Sequence, residues 1–250
     1  YVDAATLHIK DSSPEAVGTI TGGRNVGSGG AICAMSAARI ILDGGNIVHN
    51  VSDSHGGGIN INSSYLEMNG GVVGYNTANT NGLGGGIFIG NGSMVFNGGI
   101  VRNNTSLRNG GGIYVNQYGE ITVNGGEVFS NSTPNNGGGI SGNGKFLTIN
   151  NVKIYDNYAG QNGGGIYTGN GVFTLNGGEI SDNRAAVAGA GISVASGKVV
   201  LNDGLISANR TEEGTETQCS GAGIYLHSNS TLDMYGGIIT LNYAKRWGGG

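Results

Sequence analysis

Apolar and polar positions alternate in short bursts along this chain, and the bursts recur about every 26 residues. Each unit reads GGxI, a short apolar strand, then (N/D)GGx(I/V)xxN. Ile32, Ile59, Ile87, Ile113, Ile140, Ile166, Ile192 and Ile224 mark eight successive copies. In the copy from Gly163 to Asn183, alternation points Ile166 and Thr168 inward and Tyr167 outward. Gly169-Asn170-Gly171 is a turn, because Gly and Asn accept positive φ at little cost. Phe173 and Leu175 then point inward around an outward Thr174, Asn176-Gly177-Gly178 makes a corner, and Ile180 is buried before Asn183 opens the last turn. Three short strands per coil, joined by Gly/Asn corners, predict an all-β solenoid, a three-sided parallel β-helix.

Comparing equivalent positions across copies strengthens this expectation. The column of Leu175 reads Leu42, Met68, Phe96, Val123, Ile149, Leu175, Leu201, Met234. That of Phe173 reads Ile40, Leu66, Met94, Ile121, Leu147, Phe173, Val199, Leu232, and that of Ile180 reads Ile47, Val73, Val101, Val128, Ile154, Ile180, Ile206, Ile239. Unbroken apolar columns are what internal stacks of parallel strands require. The column of Thr174, which includes Glu67, Thr122, Thr148 and Asp233, is mixed and faces out. A polar column ends each copy: Asn50, Asn76, Asn104, Asn131, Asn157, Asn183, Asn209 and Asn242. Stacked asparagine amides can bond the coils above and below, so a structural ladder is expected here. The same is expected of Asp43, Asn69, Asn97, Asn124, Asn150, Asn176 and Asn202.

The period implies one elongated domain over residues 1–250. Residues 1–28 form a degenerate or capping coil, 29–247 hold eight repeats, and 248–250 begin a ninth. At strand spacing, nine coils stand about 43 Å tall. Glycine supplies 53 residues and proline 2, in register with the repeat, which signals tight corners. A net charge of −4 with 12 Lys and Arg leaves no electrostatic footprint for nucleic acid. No apolar run approaches the length of a membrane-spanning helix. Tyr1 in place of Met, and an ending at Gly248-Gly249-Gly250, suggest a piece of a longer protein. Cys33 and Cys219 lie seven coils apart, about 34 Å, so no disulfide between them is expected.

The Gly29-Gly30-Ala31-Ile32 tetrad and the Val128-Phe129-Ser130-Asn131 segment resemble the GGA(I/L/V) and FxxN repeats of chlamydial polymorphic outer-membrane proteins, with valine in place of the phenylalanine. The form from Leu175 to Asn183 is more similar to the adhesin-like β-helix repeats on the surfaces of Gram-positive gut bacteria and methanogens. The resemblance covers about nine-tenths of the chain and rests on scaffold residues. It implies a secreted or surface-anchored adhesin-like role. Motifs made of scaffold residues alone lead us to expect a non-catalytic adhesin or stalk that contacts glycans or host or neighbouring surface proteins through an outer face. A right-handed winding agrees with the crossover rule for parallel strands.

Candidate chemistry is sparse. Parallel β-helices also carry polysaccharide lyases and hydrolases, which need clustered acids, often with a basic residue or calcium. The best such cluster is Asp156 and Asp182, one coil apart, with Arg184 and Arg210 nearby; Asp182–Arg184 reads more simply as a solvated ion pair. Glu127, Lys153 and Glu179 alternate in sign along one outer column, and the acidic loop with Glu212, Glu213 and Glu216 reads as solvated. Ser54-His55-Gly56 does not supply the Gly-His-Gly element of polygalacturonases. His8, His49, His55 and His227 lie in different columns and give no metal-ligand spacing. No cofactor is implied, with calcium at the aspartates the only candidate. The stronger lead is aromatic. The outward column after GGxI contains Phe88, Tyr114, Tyr167 and Tyr225, while Tyr155 and Tyr158 flank the aspartates. Exposed rings beside polar groups suit sugars or protein partners.

Overall fold

A computed structural model describes residues 1–12, 18–144, 146–211 and 220–249. The chain winds as an all-β parallel solenoid, and successive turns stack strand upon strand into four parallel sheets of nine strands each. One rung shows the plan: Ile166–Thr168, Val172–Leu175, Glu179–Ser181 and Arg184–Ala185 contribute to the first, second, third and fourth sheets. The expectation of three strands per coil is therefore corrected to four. The additional strand is the residue pair after each terminal asparagine, and it pairs in register with its counterparts, as in Tyr158↔Arg184 and Ala159↔Ala185. Two residues are too few for an alternating pattern to show, so the pair reads as part of a turn.

The interior is built from the apolar columns. Leu175, Phe173 and Ile180 are wholly buried, and so are their neighbours on adjacent rungs, Leu201, Val199 and Ile206. Only the terminal rungs depart: Met234, at the end of its column, is 49% exposed because no further rung covers it. The corner glycines have steric work to do. Gly163 sits at φ 68, and a Cβ on Gly164 would lie 2.3 Å from the Arg184 carbonyl oxygen, so GGxI marks the place where one rung's backbone presses on its neighbour.

The asparagines that end each rung form a continuous buried ladder. Asn131 is typical. Its Oδ1 accepts from both the main-chain N–H and the Nδ2 of Asn104, while its own Nδ2 donates to the Val101 carbonyl and to Asn157 Oδ1, all at 3.0 Å. Successive members are 26 to 28 residues apart until Asn209 and Asn242, which are 33 apart. A second file, from Asp43 through Asn69, Asn97, Asn124, Asn150 and Asn176 to Asn202, runs along the exterior with amide bonds of 2.7–2.8 Å.

Residues near the N-terminus, which fit the repeat poorly, make a full first rung. Val2–Asp3, Thr6–Ile9, Thr19–Thr21 and Arg24–Asn25 pair with the corresponding strands of the next rung. Gly23 takes the ladder position there and still donates its N–H to Asn50 Oδ1 at 2.8 Å. Cys33 is a free thiol; Cys219, Val17 and the acidic Glu212, Glu213 and Glu216 lie outside the described residues. Among the described residues, no helix is long and apolar enough to cross a membrane.

Candidate functional site

The outer face of the first sheet carries one side chain per rung. In register, the column runs Cys33, Asn60, Phe88, Tyr114, Ser141, Tyr167, Ser193, Tyr225. Phe88 and Tyr114 stack with centroids 5.7 Å apart and planes 1° from parallel, and His55 extends the stack at 4.5 Å from Phe88. The rings thus stand on edge with their faces toward neighbouring rungs. This geometry follows from the fold, since parallel in-register strands bring equivalent side chains within about 4.8 Å of each other.

Phe88 and Tyr114 were expected to be exposed, and the structure corrects this: they are 7% and 5% exposed. They do point away from the core, but the bends on either side of the sheet fold over them. His55, from the bend before the first sheet, covers Phe88. Asn143, from the turn after it, donates its Nδ2 to the Tyr114 hydroxyl at 2.9 Å. Burial raises the Tyr114 hydroxyl pKa, which the Asn143 bond partly offsets, and burial also raises that of Tyr167. Burial lowers the pKa of His55, with Arg108 adding to the effect. Tyr167 and Tyr225 remain half-buried.

Two hollows lie along this face. One of about 380 Å³ is bounded by His55, Asn60, Phe88 and Asn116. The other, about 170 Å³, lies between Tyr167 and Tyr225 and is completed by Asn162, Ser193, Ala195 and His227. A larger concavity of about 660 Å³ opens where the first sheet turns into the second, among Arg39, Tyr65, Ser93, Tyr118 and Glu120. The sequence reading missed it. Its signal is one additional residue in the Asn116–Gly119 turn, visible in the Ser93↔Glu120 register, which leaves Tyr118 66% exposed.

The aspartate pair occupies a different corner, between the third and fourth sheets. Asp156 and Asp182 are exposed and sit on adjacent rungs at φ 53 and 55. The same position on other rungs is left-handed whatever its chemistry: His49, Tyr75, Asn103, Ser130, Ala208 and Leu241. Asp and Asn tolerate this conformation better than most residues, so the corner suits a carboxylate without requiring one. Arg184 is exposed on the fourth sheet, where Tyr158, Arg184, Arg210 and Tyr243 lie in register. The ion pairs among the described residues are His8–Asp43, Arg39–Glu67 and Lys198–Asp233, so the Asp182–Arg184 pair is not formed. Tyr155 is engaged internally. It stacks on Phe129 at 4.8 Å and donates its hydroxyl to Glu127 at 2.9 Å. Burial, reinforced by the Glu127 carboxylate, pushes its pKa up to about 12. Among the described residues, no three His, Cys, Asp or Glu side chains converge as metal ligands would.

Comparison with protein-family models, with curated proteins and with solved structures found no match in any of the three.

Proposed function

We propose that this chain is a non-catalytic, surface-attached extracellular protein of the adhesin-like, right-handed β-helix kind, which holds glycans or neighbouring surface proteins against the outer face of its first sheet. The observation that carries the reading is the file of aromatic side chains along that face, with hollows beside Phe88 and between Tyr167 and Tyr225. Aromatic faces supply large contact area at low entropic cost, and neighbouring amides and hydroxyls supply direction. The scaffold beneath is held rigid by the asparagine ladder, so the face is organised before a partner arrives.

The test is binding of the purified protein to an oligosaccharide array and to immobilised extracellular-matrix and bacterial surface proteins. Capture that falls at least tenfold in a Tyr167→Ala, Tyr225→Ala double variant supports the reading. Absence of capture across both panels overturns it. A carbohydrate-active reading draws on Asp156, Asp182 and Arg184 and is favoured by one observation, two exposed carboxylates on adjacent rungs. Polysaccharide cleavage that disappears in Asp182→Asn would establish it in place of the first.

A further inference from the structure

The outer column of the first sheet changes character partway along. Aromatic rings occupy consecutive rungs at Phe88 and Tyr114, then alternate with serine: Tyr114, Ser141, Tyr167, Ser193, Tyr225. Each Tyr-Ser-Tyr step spaces two tyrosines by two rungs, about 9.6 Å at parallel-strand spacing, with a short side chain at the bottom. The sequence thus contains two copies of the same slot.

The two slots differ at several flanking positions, among them the residue after the middle strand. In the first, Asn143 follows Ser141 and reaches across to the Tyr114 hydroxyl. Ser141 is 1% exposed and its hydroxyl has no hydrogen-bond partner among the described residues, while Ser193 at the floor of the second slot is 3% exposed. In the second slot the equivalent residue is Ala195; both residues follow the first-sheet strand and donate their N–H to the preceding rung's carbonyl. Alanine has nothing to reach across with, and the hollow of about 170 Å³ between Tyr167 and Tyr225 is the result. The first slot is filled by the protein's own amide, and the second is open.

We infer that the open slot between Tyr167 and Tyr225 receives a single uncharged pyranose ring, held between the two tyrosines with its hydroxyls directed to Asn162, Ser193 and His227. This deepens, and rests on, the proposed binding role of the same face. Three observations select the ligand class. The lining contains no carboxylate, ammonium or guanidinium group, which favours a neutral ligand. The hollow is smaller than the roughly 300–1,000 Å³ typical of ligand clefts, so it holds one ring and not a chain. The spacing favours a puckered ring over a flat one: a planar aromatic contacts carbon at about 3.5–4.0 Å on each face and fills about 7–8 Å, whereas a chair with axial hydrogens on both faces is thicker. Since the tyrosines lie two rungs apart along the stack, any longer glycan leaves the slot sideways, across the sheet.

The experiment uses the whole chain and four probes: the tetrasaccharides of glucose, mannose, galactose and N-acetylglucosamine, followed by titration calorimetry and saturation-transfer NMR. At least one probe is expected to bind one site per chain, with saturation centred on one ring. Ala195→Asn copies the residue that closes the first slot and is expected to weaken binding at least tenfold. Ser193→Phe, which fills the slot with a ring stacked as Phe88 stacks on Tyr114, is expected to do the same, and circular dichroism confirms the fold of each. Asn143→Ala opens the first slot and is expected to raise the stoichiometry toward two. Wild-type affinity in both filled variants overturns the slot while leaving glycan binding by the face intact. A wild-type chain that captures proteins but none of the four sugars overturns the slot and leaves the proposed function standing. A chain that captures neither removes both.

Discussion

The two asparagine files use the same residue at the same spacing and do different work. In the buried file every amide from Asn50 to Asn209 is completely enclosed and makes bonds to both neighbouring rungs, including a main-chain carbonyl and a main-chain N–H at the left-handed corner. In the exposed file each amide simply passes one bond to the next rung, as Asn124 does to Asn97 at 2.7 Å. They also run in opposite senses. Buried Nδ2 groups donate toward higher residue numbers, as Asn104 does to Asn131, while exposed ones donate toward lower numbers. This explains the aspartate at the end of the exposed file. The exposed file ends on Asp43, whose position asks only for an acceptor, and it accepts from Asn69 at 2.8 Å and pairs with His8 at 2.5 Å. No interior position of the buried file has that freedom, because each must both donate and accept.

This contrast can be pressed experimentally. The largest effect is expected from Asn131→Asp, which removes the donor to Val101, sets two acceptors against each other at Asn157 and buries an uncompensated charge; roughly 3–5 kcal/mol should be lost. Because a stacked array need not unfold in one step, hydrogen exchange of the flanking rungs should accompany the denaturant melt. Next is Gly165→Ala. Its Cβ would lie 3.0 Å from Asn183 Nδ2 and 2.8 Å from the Gly191 carbonyl oxygen, so the ladder or the backbone must give way. A loss of about 1–3 kcal/mol is expected, as for other overpacked sites, read as a lower denaturation midpoint. Asn124→Ala in the exposed file should cost about 0.5 kcal/mol or less, since water replaces the lost bond. A loss matching that of Asn131→Asp would erase the distinction between the files.

The smallest effect concerns acid. The Asn69 hydrogen bond, then that of His8, lower the Asp43 pKa below its usual 3.8. For a carboxylate depressed in the folded state, the stabilisation is present above the unfolded value and fades as pH falls through the folded one. Asp43→Asn removes the ionising group, so it should lower stability slightly at neutral pH and flatten the acid limb, the two proteins converging below about pH 4. Acid melts of the two proteins would show whether this exposed terminus matters at all.

Legibility in the sequence followed the length of each pattern. Strands such as Val172–Leu175 are long enough for alternation to reveal, and their interior columns were readable across eight copies. The fourth sheet was hidden because Arg184–Ala185 and its counterparts are only two residues long. The direction of Phe88 and Tyr114 was readable too, but their burial was not. Alternation fixes which way a side chain points, whereas the cover comes from His55 and Asn143, whose reach depends on how each bend folds. Asp156 and Asp182 illustrate a different limit of pattern reading. Stacked acids suggest chemistry, yet the φ values of Ala208 and Leu241 reveal a left-handed corner common to every rung, a feature the side-chain pattern did not carry. The open slot escaped notice because its signal is an alanine, Ala195, where another copy has asparagine.

The unequal spacing of the buried ladder has a mechanical consequence. Pulled from an end, a stack of this kind would release its chain one rung at a time, in steps near 26 residues or about 90 Å of extended polypeptide. The stretch from Asn209 to Asn242 holds 33 residues and would give a single longer step of about 110 Å. A force–extension trace would then carry its own ruler, one long tooth marking which part of the rod had just let go.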